Sequence, residues 1–156
     1  MPCRNAAGSA AERRRRLPDM YLLDTNVVSE LRRARPHGAV LAWLRGVPDA
    51  DLHLSAVTVG EIQAGIEIAR EQDEARASEL ESWLHDVEQT FNILSMDARA
   101  FRCWARLMHR KPDELTEDAM IAATAAVHNL TVVTRNTRDF ERLDVRTLNP
   151  FAAPGA

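Results

Sequence analysis

Five side chains in this sequence have the chemistry and the positions to act together: Asp24, Glu61, Asp118, Asp139 and Asn136. Asp24 closes the apolar run Tyr21-Leu22-Leu23, and Asn136 and Asp139 follow the run Thr131-Val132-Val133-Thr134. Glu61 and Asp118 fall near the starts of two helical patterns. Carboxylates gathered at one point repel, and some take up protons unless a cation sits among them. Oxygen donors without His or Cys select a hard ion, Mg²⁺ or Mn²⁺. Such an ion lowers the pKa of a bound water and clamps a phosphodiester in line, so the expected chemistry is metal-assisted phosphodiester hydrolysis.

Each residue also has a plainer use. Thr58-x-x-Glu61 matches a capping box, in which Glu61 bonds back to the helix start. Asp118 near a helix N-terminus complements the macrodipole. Asp24 is a good N-cap, Asp139 a good turn former, and Asn136 can bond loop backbone. Thr25 and Thr134 either bond to the carboxylates or satisfy backbone. Arg32, Arg33, Arg135, Arg138 and Arg142 flank the same positions and suit phosphate contacts or a solvated surface. Trp43, Trp83 and Trp104 sit among apolar residues and read as core rather than as base-stacking platforms. Gly65, one turn beyond Glu61, leaves room for a neighbouring helix or a ligand. The argument rests on shared location, which the surrounding elements must supply.

Tyr21–Leu23 is apolar on both faces, as in a central parallel strand. Leu52-His53-Leu54 reads as a brief strand or an extended linker, Asn92–Leu94 as a second strand, Thr131–Thr134 as a third and Val145–Leu148 as a fourth. Helices are expected from Asn26 to about Arg33, from Gly38 to Arg45, and from Thr58 onward with Val59, Ile62, Ile66 and Ala69 in phase. Further helices are expected around Leu80, Trp83, Leu84, Val87 and Phe91, from Ala98 to about Arg110, and from Thr116 to His128. The last has an almost wholly apolar interior and so is buried. Strands separated by helices imply an α/β domain: a short parallel sheet with crossovers on both faces. In such sheets ligands bind at the carboxyl ends of the strands, where these carboxylates fall.

Composition bounds the remaining possibilities. The 156 residues suit one domain, and no apolar run approaches the roughly 18 residues of a membrane span. Residues 1–19 carry five arginines against Glu12 and Asp19, a net +3, while the whole chain carries −3, leaving −6 on residues 20–156. They read as a disordered basic tail that precedes a natural start at Met20, with residues 20–156 as the domain. A binder of nucleic acid by charge alone is usually basic, so an acidic body needs a metal ion to approach phosphate. Two cysteines, Cys3 and Cys103, cannot make a disulfide framework, which fits a cytosolic protein.

The blocks also resemble a known family. Met20-Tyr21-Leu22-Leu23-Asp24-Thr25-Asn26-Val27-Val28-Ser29-Glu30 resembles the opening of VapC-type, FitB-like PIN-domain toxins. Leu54-Ser55-Ala56-Val57-Thr58-Val59-Gly60-Glu61 resembles their second motif and Asp118-Ala119-Met120-Ile121-Ala122-Ala123 their third. Val133-Thr134-Arg135-Asn136-Thr137-Arg138-Asp139-Phe140, with Leu148-Asn149-Pro150-Phe151, resembles their C-terminal motif. The blocks keep the family's order across nearly all of residues 20–156.

The resemblance implies a small α/β/α sandwich and a Mg²⁺-dependent endoribonuclease, with Mn²⁺ as a substitute. Asp24, Glu61 and Asp118 match the family's acidic positions, and Asp24 and Asp118 are the expected metal ligands. Asp139 completes the catalytic set, with Thr25, Asn26, Thr134 and Asn136 in support; Arg135 and Arg138, by their position beside these residues, are the expected RNA phosphate contacts. The fourth position stays open between Asn136 and Asp139. The resemblance further implies a cytoplasmic toxin with a cognate antitoxin, homodimers or toxin–antitoxin hetero-oligomers, and DNA contact only through the antitoxin. The helix near Leu80–Val87 is an expected docking surface. Two rivals remain: a catalytically weak PIN domain serving in a DNA-binding autoregulatory complex, and a phosphotransfer enzyme with Asp24 as nucleophile. The second wants an Asp where this chain has Asn26.

Overall fold

The computed structural model describes residues 19–152, and the expected tail over residues 1–19 lies outside them except for Asp19. Among these residues five parallel strands form the sheet: β1 Tyr21–Leu23, β2 Leu52–Ser55, β3 Asn92–Leu94, β4 Thr131–Val133 and β5 Thr147–Leu148. Their order is β3-β2-β1-β4-β5, with Leu22 paired to His53 on one side and to Val132 on the other. β1 is central, which explains its unbroken apolar run. Leu52–Leu54 is a strand, extended by Ser55 and buried throughout.

Among the described residues seven α-helices surround the sheet: α1 Thr25–Val28, α2 Gly38–Arg45, α3 Ala56–Arg70, α4 Glu74–Thr90, α5 Ala98–Met108, α6 Thr116–His128 and α7 Thr137–Glu141. Parallel crossovers are right-handed, so the direction of each step decides the face its helices cover. From β1 to β3 the chain steps one way, and from β3 to β5 the other. Accordingly Leu23 packs with Val27, Val40 and Val87 of α1, α2 and α4. Leu22, the next residue back, packs with Ile121 and Ala122 of α6 and Phe140 of α7 on the opposite face. The expected covering of both faces is present.

α6 carries buried Ala119, Ala122, Ala123 and Ala125. Such small side chains let α5 lie close, where Ala100 and Cys103 meet Ala123 and Val127. α6 ends at Asn129, whose left-handed φ of 56° closes the helix. The expected helix over Asn26–Arg33 is shorter than anticipated: α1 gives way to a 3-10 turn at Ser29–Arg32. Buried Glu30 fixes the loop that leads to α2, accepting from the His37 backbone N–H at 2.9 Å and from Arg33 at 3.1 Å.

Candidate active site

The strand order reverses between β1 and β4, so the crevice beyond their carboxyl ends is the natural ligand site. Asp24 stands there, 6% exposed, at the foot of α1. It does cap that helix: Oδ1 accepts from the Thr25 backbone N–H at 2.8 Å. Oδ2 accepts from the Thr134 hydroxyl at 2.8 Å and from Asn26 Nδ2 at 3.2 Å. Every donor is neutral. Burial raises the Asp24 pKa, and these bonds only partly oppose the rise.

Glu61 reaches the same crevice from α3, though not as a capping residue. α3 opens at Ala56, with Ser55 as its cap accepting from the Val57 N–H at 3.1 Å, because Ser55 ends β2 in extended backbone. Thr58 is therefore buried inside the helix, and Glu61 lies in its second turn rather than its first. The capping box is not formed. Glu61 instead accepts a short hydrogen bond from the Thr25 hydroxyl, which also lies 3.4 Å from that of Thr58. Its pKa is pushed up to about 7, first by burial and then by Glu117 and Asp24, against the Thr25 bond.

Asp118 lies in the first turn of α6, half-buried. Its pKa is pushed up to about 6 by burial, then by the charges of Asp24, Asp139 and Glu117. Glu117 is the member that sequence reasoning missed. It is exposed, and an acid beside Asp118 in a first helical turn reads as one more surface charge.

The fourth position involves both candidates. The Asn136 backbone N–H donates to Thr134 Oγ1 at 2.9 Å, while its Nδ2 donates to Asp139 Oδ2 at 2.7 Å. Asp139 is no isolated turn former but sits in the first turn of α7, a helix the sequence pattern did not reveal. Asn136 thus holds Asp139, and the charge that Asp118 feels is that of Asp139. Arg135 and Arg138 are exposed at the rim, Arg135 donating its backbone N–H to Asn26 Oδ1 at 3.2 Å.

Arg33 is tied to Glu30, whereas Arg32 lines a cavity of about 390 Å³ that opens beside Thr25 and Glu61. Trp83, Leu80 and Arg76 of α4 line its far wall. Gly65 fronts this cavity with open space where a Cβ would project, so it does not serve a close helix approach. Trp43 packs edge-on to Tyr21 at 5.0 Å, and Trp104 donates to the Thr116 carbonyl at 3.2 Å; both are structural.

The donor set fits a hard divalent ion. It offers carboxylate, hydroxyl and amide oxygens only, and no ion pair among the described residues neutralises the five acids. Burial raises the pKa values of Asp24, Glu61 and Asp118, neighbouring acids add to the rise at Glu61 and Asp118, and a cation among them would favour the charged forms. Among the described residues no three His, Cys, Asp or Glu side chains close into a ready-made cage.

Comparison with known proteins meets this geometry. The model of the PIN domain family matches residues 21–146. The chain belongs to the PIN-domain family. Toxin FitB of Neisseria gonorrhoeae is 35% identical to this PIN domain over 144 residues, covering 85% of the chain and 99% of FitB. The VapC ribonuclease Y4jK of Sinorhizobium fredii is 36% identical over 138 residues, covering 85% and 98%. In the solved structure of FitAB bound to an IR36 DNA fragment, one chain superposes with a TM-score of 0.75 at 34% identity, over 86% of this PIN domain and 97% of that chain. No helix among the described residues is long and apolar enough to cross a membrane.

Proposed function

We propose that this PIN domain is a magnesium-dependent endoribonuclease, the toxin of a cytoplasmic toxin–antitoxin pair. The observation that carries the reading is the convergence of Asp24, Glu61, Asp118 and Asp139 on one crevice, with no basic side chain among the described residues paired to them. The ribonuclease and toxin names of its relatives support it. Asp24 and Asp118 would hold Mg²⁺, or Mn²⁺ in its place, with Glu61 and Asp139 beside them. When bound, the ion supplies Lewis-acid charge at the phosphodiester and a lowered pKa for water. Thr134, Asn26 and the Thr25 N–H fix the Asp24 carboxylate, and Asn136 fixes Asp139. Glu61, held by the Thr25 hydroxyl, takes the proton from the attacking water. Products then carry a 5′-phosphate and a 3′-hydroxyl; 2′,3′-cyclic phosphate ends would exclude this route.

The partner is a cognate antitoxin. The cavity beside α3 and α4 is lined by Ile62, Ile66, Leu80 and Trp83 together with Glu61, Arg32 and Arg76, so it suits a partner segment with apolar side chains and charges of both signs. DNA is reached only through that partner, in a homodimeric or toxin–antitoxin hetero-oligomeric complex. Incubating partner-free protein with total RNA, in Mg²⁺ or EDTA, beside Asp118→Asn, tests the activity. Discrete products that need both the metal and Asp118 are expected.

A second reading follows from the FitAB–DNA structure: a catalytically weak domain that serves an autoregulatory complex. Under it, Asp118→Asn leaves toxicity in cells unchanged; under the nuclease reading, toxicity is lost.

A further inference from the structure

Arginines of this domain differ in how they are held. Arg70 is gripped by Glu67, Glu74 and Glu81, so its charge is spent locally. Arg135 makes no ion pair among the described residues. Its guanidinium lies over the Phe151 ring, 3.7 Å from the centroid. Phe151 in turn meets His37 edge-on, with centroids 5.2 Å apart. Each member is pinned through its own backbone. The Arg135 N–H donates to Asn26 Oδ1 at 3.2 Å, that of Phe151 to Asn149 Oδ1 at 2.9 Å, and that of His37 to Glu30 Oε2 at 2.9 Å. Asn26 is also a donor to Asp24, so one side chain ties this stack to the carboxylate crevice.

Stacking occupies a face of the guanidinium and leaves its in-plane N–H fork free for a phosphate. It also removes rotamer freedom before any ligand arrives, which lowers the cost of ordering on binding. An acidic crevice repels RNA, so an uncompensated, already ordered cation at its rim has a clear use.

We propose that the Arg135–Phe151–His37 stack is a preset clamp for an RNA backbone phosphate flanking the scissile one, an inference that rests on the ribonuclease reading. Arg135 is the contact, and Phe151 and His37 are positioning residues. The competing use of the stack is to anchor the C-terminal segment against the loop before α2, which predicts lost stability and unchanged RNA affinity.

Binding of a short single-stranded RNA of mixed sequence to the full-length Asp118→Asn protein decides between them, read at several salt concentrations. Arg135→Ala in that background weakens binding about tenfold. It also reduces the slope of log affinity against log salt by about 0.7, the share of one single-strand phosphate contact. Arg135→Lys keeps the slope and loses part of the affinity, because the charge remains and the fork does not. Phe151→Leu keeps apolar packing and weakens binding, while Arg138→Ala, lacking a supporting ring, weakens it less. If Arg135→Ala lowers the melting temperature but leaves affinity and salt slope unchanged, the clamp is refuted and the nuclease reading stands on its own cleavage assay. If the parent binds no RNA and the wild type cleaves none, both fall together. Should Phe151→Leu fail to fold, Arg135→Lys against Arg135→Ala still decides.

Discussion

Glu61→Gln separates the charge of the crevice from its shape. Glu61 is pushed up to about 7 from its ordinary 4.5, by burial and then by Glu117 and Asp24. A rise of that size corresponds to about 3 kcal/mol between the charged and neutral forms. The side chain is half-exposed, and solvent screening leaves about 1 to 1.5 kcal/mol of it as a real penalty. An acid whose folded pKa is raised binds a proton on folding. Its contribution is therefore fully present below about pH 4.5 and is lost as pH rises through about 7. Glutamine cannot ionise, and its amide oxygen still accepts the Thr25 hydroxyl. In EDTA near pH 8, the variant is expected to melt about 4 to 6 °C above the parent, for a domain of about 130 residues. Near pH 5 the two curves converge. Added Mg²⁺ stabilises the parent more than the variant, and the variant does not cleave RNA. Thermal melts at both pH values, with and without Mg²⁺, provide the test. A variant that melts at or below the parent near pH 8, or a gap that ignores pH, would refute the reasoning.

Thr134→Val removes the hydroxyl shared by Asp24 Oδ2 and the Asn136 N–H, and is expected to weaken Mg²⁺ binding about 10- to 100-fold by titration calorimetry. Asp139→Asn is expected to slow RNA cleavage more than Asn136→Ala, since Asn136 acts by holding Asp139; the reverse ranking would make Asn136 the direct participant. Ala123→Leu overfills the α5–α6 contact and should cost about 1 to 3 kcal/mol in denaturant unfolding, with the metal affinity of the folded fraction unchanged.

Some elements were legible because burial leaves a strong sequence mark. β1 must be apolar on both faces, and α6 is almost wholly apolar, so both stood out. Asp24 and Asp118 followed directly, each at the end of such an element. Elsewhere the mark is faint. α7 has five residues, of which Phe140 alone is buried, too few for a period to emerge. Its absence made Asp139 look like a turn residue. α4 begins at Glu74, earlier than the apolar residues from Leu80 onward suggest, because small Ala77 is the one buried residue of its first turns. The start of α3 was misplaced because Ser55 and Thr58 are equally good caps by type. Only the end of β2 chooses Ser55, and that choice is tertiary. Glu117 acts through proximity to Glu61, on a helix distant in sequence.

The hydrogen bond from Thr134 to Asp24 joins residues 110 positions apart, with Glu61 and Asp118 entering from segments between them. A chain growing from its amino end therefore exposes the first carboxylate of the crevice early and completes the crevice only after β4 and α7 have emerged. Until then Asp24 has neither its hydroxyl donor nor its fellow acids. On the proposed nuclease reading, a nascent polypeptide beside the ribosome's own RNA is harmless for most of its synthesis. Pairing strands so far apart in sequence is slow, which lengthens the interval in which a partner can engage the protein before the site is complete.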